Sequence, residues 1–117
     1  MISEEAKKLI ETKPVAISTC VMDEPNISVA AFVKVVEDKI VITDNYMAKT
    51  VQNLSKNNKI ELAVWDEDWA GYKISGTATY ESSGKWLEYV KGLSENAGLP
   101  AKGAILVKVN DIRKIGE

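Results

Sequence analysis

The chain has 117 residues, 45% of them hydrophobic, which suits one compact core and a single domain. Fifteen basic residues against 17 acidic ones leave a net charge of −2, so no sequence-independent attraction to nucleic acid is expected. With no histidine and one cysteine, Cys20, the sequence excludes a Cys/His metal cluster, a Cys–His catalytic pair and an internal disulfide, and no metal site is expected.

Ser3 caps a first predicted helix, with Glu4 and Glu5 set against its positive end and Ala6, Leu9 and Ile10 on one face; Lys13-Pro14 stops it. This charged, amphipathic start does not read as a signal peptide, and no apolar run approaches the roughly 20 residues that span a bilayer, so a cytoplasmic protein without membrane contact is expected. Val15–Met22 alternates bulky with small or polar residues, Asp23-Glu24-Pro25-Asn26 reads as a turn, and Ile27–Val36 resumes as a strand. Glu37-Asp38 is a tight turn into the strand Lys39–Thr43, so the first three strands are expected to form a meander.

Thr43-Asp44-Asn45 is a turn cluster that can cap a helix starting just before Lys49, in which Met47, Val51 and Leu54 recur at helical spacing; that helix is expected to end near Asn57-Asn58. Beyond it, Ile60–Trp65 alternates cleanly, Asp66–Gly71 is a polar loop carrying Trp69, and Tyr72–Tyr80 alternates again, with Gly76 marking a bend, a bulge or a close approach. Ser83 can cap a third helix bearing Trp86, Leu87, Tyr89, Val90 and Leu93, with Gly98 as its C-terminal cap and Pro100 beyond. The last strand is Ala104–Val109, extending toward Ile115.

The βαβ rhythm of a parallel sheet is missing. The expected fold is mainly β with peripheral helices: six antiparallel strands curling into a small barrel, which removes exposed edges. Such a barrel is filled by its own Val, Ile and Ala side chains. A sizeable ligand must then bind outside it, and a neighbouring subunit could supply the second wall that excludes water.

The stretch Ile40–Leu54 carries the candidate chemistry. The first turn of a helix presents unpartnered N–H groups and partial positive charge, which together favour an anion. Lys49 and Thr50 add an ammonium and a hydroxyl at that place, with Asn53 one turn on from Lys49. A solvated lysine in an ordinary strand-turn-helix unit gives the same pattern, and the Gly-rich Walker spacing is absent.

The segments V-A-I-S-T, P-N-I-S-V, K-I-V-I-T-D, M-A-K-T-V-Q-N-L, A-V-W-D and Y-K-I-S-G-T-A-T-Y resemble the FMN-binding split barrels similar to pyridoxamine 5'-phosphate oxidase, especially the short FMN-binding flavoproteins. The resemblance implies FMN as cofactor, with the phosphate held at Lys49 and Thr50. It also implies homodimers whose flavin lies in a crevice between subunits, along Phe32, Val33, Lys34, Thr43 and Asp44, with Asn53 a weaker candidate. An oxidoreductase passing electrons or hydride through the flavin is the function implied, its donor, acceptor and catalytic residues unknown. The chain departs from the oxidase itself: it is shorter and lacks the arginine-and-histidine motif that holds pyridoxal there, so oxidation of pyridoxamine phosphate is not expected. A deazaflavin or haem in the same fold, or a module that stores or senses FMN without turnover, are the alternatives.

Lys34 would stabilise negative charge on a reduced flavin if it pointed at the ring; an outward strand lysine has the same sequence signature. Trp65, Trp69 and Tyr72 bracket a loop that could cover a flavin across a dimer, although aromatic residues at strand ends commonly serve packing. The consecutive acids Asp66, Glu67 and Asp68 read as a solvated loop.

Overall fold

The computed structural model describes residues 1–116. Seven strands form one antiparallel sheet: β1 (Val15–Val21), β2 (Glu24–Ala30), β3 (Val33–Val36), β4 (Lys39–Asp44), β5 (Lys59–Trp65), β6 (Gly71–Glu81) and β7 (Gly103–Lys114). Their order is β2-β1-β5-β6-β7-β4-β3. Three helices accompany them, α1 (Glu4–Thr12), α2 (Ala48–Leu54) and α3 (Lys85–Lys91), with a short 3-10 turn at Ser94–Asn96.

β2 and β3 lie at opposite ends of that order, yet only Ala31 and Phe32 separate them in the chain. Seven strands laid flat would span roughly 29 Å, whereas Ala30 and Val33 can stand at most about 11 Å apart. The sheet must therefore roll into a barrel, split along the β2–β3 seam. The single strand expected over Ile27–Val36 is broken at Ala31-Phe32, which makes seven strands where six were expected. The expected meander becomes two hairpins on opposite edges.

Both hairpins turn on two residues with positive φ, Met22-Asp23 (50° and 66°) and Glu37-Asp38 (52° and 66°), the twist that matches paired strands. The first turn thus falls earlier than Asp23–Asn26, and Pro25 is already paired opposite Cys20 on an edge strand, where its missing N–H is tolerated. Of the bend, bulge or close approach expected at Gly76, two are present: the register shifts between Ser75 and Gly76, and a methyl there would lie 2.5 Å from Val107 Cγ1.

The inward residues, among them Ile17, Val33, Ile40, Ile42, Leu62, Ile74, Ile105 and Val107, fill the barrel, with Ile10 of α1 and Leu54 of α2 joining that core. α3 covers the outer face of β4 and β7, where Leu87 and Val90 meet Val41, Ala104 and Leu106. The outer face of β2, β1 and β5 has no such cover: Ile27 is 71% exposed and Val29 62%.

The helix ends differ from expectation. Ser3 does cap α1, accepting from the Ala6 N–H at 3.1 Å. α2 stops at Leu54, and α3 starts after Gly84 (φ 90°) without a side-chain cap and stops at Lys91, so that Gly98 (φ 80°) follows the 3-10 turn. Among the described residues no helix is long and apolar enough to cross a membrane.

Candidate functional site

The strand β4 delivers Thr43, Asp44 and Asn45 to the entry of α2, and each side chain is used to fix that turn. Asp44, 2% exposed, accepts the Met47 N–H at 3.0 Å through Oδ1 and the Tyr80 hydroxyl at 2.7 Å through Oδ2, with Lys102 Nζ 4.0 Å from Oδ1. Burial, reinforced by the Asp44 carboxylate, pushes the Tyr80 phenol up to about 12. Asn45 accepts the Ala101 N–H at 2.8 Å and donates to Asn96 Oδ1 at 3.3 Å. Asn96 in turn donates to Thr43 Oγ1 and to the Val90 carbonyl, both at 2.9 Å. The start of α2 is therefore tied to β6, to the residues leading into β7 and to the segment after α3.

The first intrahelical bond of α2 runs from the Val51 N–H to the Met47 carbonyl at 2.9 Å, so the amides of Ala48, Lys49 and Thr50 lie ahead of the helical ladder. Lys49 is exposed on that turn. Thr50 is 1% exposed; its Oγ1 lies 2.9 Å from Ser28 Oγ and accepts a longer bond, 3.5 Å, from Asn26 Nδ2. Asn53 donates to Thr19 Oγ1 at 3.0 Å. Beneath α2 the barrel thus presents hydroxyls and amides where most inward positions are apolar.

Next to this cluster is a cavity of about 200 Å³ lined by Ser28–Phe32, by Thr43, Asn45, Tyr46 and Met47, and by Leu99. Ser28 belongs to both, so cavity and cluster form one site. Of the residues singled out in the sequence, Phe32 and Thr43 line the cavity and Thr50 reaches it through Ser28. Val33 is fully buried in the barrel core, Asp44 and Asn53 spend their polar atoms on the fold, and Lys34 pairs with Glu95. That pairing raises the Lys34 ammonium and holds the Glu95 carboxyl below its ordinary value.

Asn26, Ser28, Tyr46, Met47 and Leu99 were not singled out. A signal for the first two existed: in P-N-I-S-V, Asn26 and Ser28 alternate with apolar Ile27 and Val29, and the polar pair faces inward. A second, larger cavity of about 570 Å³ lies between α1, the β5–β6 loop and the end of β7; none of the residues expected to hold the cofactor lines it, but Tyr72, one of the aromatic residues beside that loop, does. Among the described residues, no group of three His, Cys, Asp or Glu could hold a metal ion.

Comparison with known proteins places this architecture. A family model described as pyridoxamine 5'-phosphate oxidase matches residues 2–116. The chain belongs to the pyridoxamine 5'-phosphate oxidase family. An uncharacterized protein of Methanocaldococcus jannaschii is 30% identical over 117 residues, covering 95% of this chain and 78% of that protein. The crystal structure of HupZ from Group A Streptococcus is similar with a TM-score of 0.87 and 25% identity, covering 98% of this chain and 94% of that one. An FMN-binding protein from Syntrophomonas wolfei superposes with a TM-score of 0.79 at 20% identity, covering 97% and 86% of the two chains, a likeness of fold. The split barrel expected from the sequence is thus the fold of this pyridoxamine 5'-phosphate oxidase family member.

Proposed function

We propose that this chain is a flavoprotein that holds FMN noncovalently at a homodimer interface and passes electrons or hydride between a reduced donor and an acceptor. The observation that carries this reading is the hydroxyl arrangement at Thr50. A hydroxyl has one proton to donate and two lone pairs. The Thr50 and Ser28 hydroxyls stand 2.9 Å apart, where either can donate, and Asn26 donates to Thr50 Oγ1 from 3.5 Å, so one hydroxyl proton of the pair is left for an acceptor beside the α2 entry. Lys49 and the amides of Ala48–Thr50 complete a donor set that suits a phosphate dianion, each charge-assisted bond being worth about 1.5–3 kcal/mol. The Asp44 carboxylate, turned to Tyr80 and the Met47 amide, takes no part in that set.

Backbone groups of Ser28–Phe32 and the Thr43 hydroxyl suit the polar edge of a planar ring, and Phe32, Met47 and Leu99 supply apolar wall. Redox chemistry would come from the isoalloxazine; the chain's part is to bind, to orient and to exclude water. The cavity, about 200 Å³, is smaller than the roughly 300–1,000 Å³ usual for such ligands, which supports completion by a second copy. An exposed free thiol, Cys20, suits a reducing compartment, and a cytoplasmic setting belongs to the same proposal.

Absorption of freshly purified protein and titration with FMN test the proposal. Flavin bands, bleached by a nicotinamide donor, are expected, and Lys49→Ala/Thr50→Ala should lower FMN affinity at least tenfold. Protein that neither carries nor takes up FMN overturns it. Protein that binds FMN but is never reduced leaves a flavin-binding module without turnover.

A further inference from the structure

We propose that Trp65 and Trp69 form the second wall of the cavity, supplied across the two-fold axis of the homodimer, so that the indoles of one copy cover the planar ring held by the other. The proposal rests on the FMN reading above and names what the partner contributes.

The two indoles are stacked, 6.5 Å between centroids and 9° from parallel, and Trp69 is 74% exposed. Trp69 holds a φ of 65°, a left-handed conformation that is strained for a bulky side chain. The loop is braced to keep it there. Asp66 accepts the Asp68 and Ala70 N–H groups at 2.8 and 3.1 Å, its own N–H donates to the Ala70 carbonyl at 2.9 Å, and Glu67 is paired with Lys13. A rigid, strained loop that keeps a tryptophan in solvent needs a ligand surface to account for it.

Strand register supplies that surface. Val29, which lines the cavity, stands on the uncovered outer face opposite Ala16, and Ala16 opposite Ala63; Trp65 is the next outward residue on β5. Strand spacing and rise put Val29 and Trp65 roughly 12 Å apart, with Ala16 near the midpoint. A two-fold axis lying between the two faces, parallel to them and crossing over Ala16 at right angles to the Val29–Trp65 line, sets the partner's Trp65 over the rim at Val29. Ala16, Ser18 and Ala63 are small enough for two sheets to approach closely there. Farther along that face Glu61 pairs with Arg113, and Arg113 with Asp111, so two copies meet without net repulsion.

The test uses the intact dimer and FMN as probe. Titration should quench flavin and tryptophan emission together. Trp69→Ala should stay dimeric, bind FMN about tenfold more weakly and leave the flavin brighter, while Trp69→Phe should restore most of the affinity. Mixed dimers decide the geometry: one chain carries Trp65→Ala/Trp69→Ala and the other Lys49→Ala/Thr50→Ala. A wall supplied in trans gives one site per mixed dimer with wild-type affinity, because one intact phosphate grip faces one intact indole pair. Mixed dimers with no such site, or a Trp69→Ala protein with unchanged affinity and emission, would each overturn this proposal alone; a monomeric wild-type protein that binds FMN would overturn it together with the dimer interface of the functional reading. Wild-type protein that binds no FMN removes the functional reading as well.

Discussion

The Tyr80 hydroxyl donates to Asp44 Oδ2 across 2.7 Å, and the phenol lies so close over Gly103 that a methyl on that glycine would stand 2.4 Å from the ring. Strand β6 thereby reaches under β7 to hold the carboxylate that fixes the start of α2.

Tyr80→Phe removes that donor and leaves Asp44 Oδ2 short of a partner, at a cost of about 1–3 kcal/mol measured by denaturant unfolding. The pH dependence carries a second signature. The phenol titrates near 12 when folded against 10.0 when unfolded, so its contribution is complete below pH 10.0 and is lost as the pH rises toward 12. The wild type should lose stability across that window more steeply than Tyr80→Phe; parallel curves would count against the bond.

Gly103→Ala should destabilise the fold by about 1–3 kcal/mol, because the methyl meets the Tyr80 phenol and displacing that ring strains its bond to Asp44. Combined with Tyr80→Leu, which takes the ring away, the two changes should cost clearly less than their sum. Strict additivity would mean that the clash is not the cause.

Thr50→Val keeps the shape of the side chain and deletes its hydroxyl. Stability should change by about 1 kcal/mol, whereas FMN affinity should fall about tenfold or more, since a bond to a charged group is lost. Equal affinity in the two proteins would move the phosphate away from Thr50.

Trp69→Gly should unfold at a temperature no lower than the wild type. Relief of the left-handed backbone is worth about 1–2 kcal/mol, and it offsets the lost indole stacking of about 0.5–1.5 kcal/mol. Thermal unfolding and FMN titration on one preparation check this; a fall of many degrees would show that the indole serves the fold itself.

Lys34→Met should lower the stability between the two titrations of the pair and weaken its pH dependence. The Glu95 carboxyl, held below its ordinary 4.5 by Lys34, contributes above that value and loses its contribution as the pH falls. The raised Lys34 ammonium contributes below 10.5 and is lost as the pH climbs through its folded value. Without the pair the acid and alkaline shoulders should both flatten, and high salt should erase the difference.

Much of this was legible in the sequence, for identifiable reasons. Alternation gave the strands, Ser3 and Lys13-Pro14 gave the limits of α1, and Gly76 gave the bulge, since each is a local signal. The break at Ala31-Phe32 was hidden because both residues fit the β pattern around them; only pairing with different neighbours on opposite edges divides the run. At the site, Lys49 and Thr50 could be named from the turn they occupy. The part Asp44 plays in fixing the turn could not be anticipated, because its partner Tyr80 is 36 residues away in sequence. Lys34 was ambiguous for the same reason, its partner Glu95 lying 61 residues on.

The position of β7 in the strand order has a kinetic consequence. In the strand order the hairpin of β3 and β4 joins the remainder of the sheet through β7, which pairs with β4 over Gly103–Lys108 and with β6 over Ala104–Lys114. During synthesis the earlier strands must wait, as two half-assembled pieces tethered by Ala31-Phe32, until the final strand leaves the ribosome. Closure is then a late, long-range event, and contact order of this kind predicts milliseconds to seconds rather than microseconds.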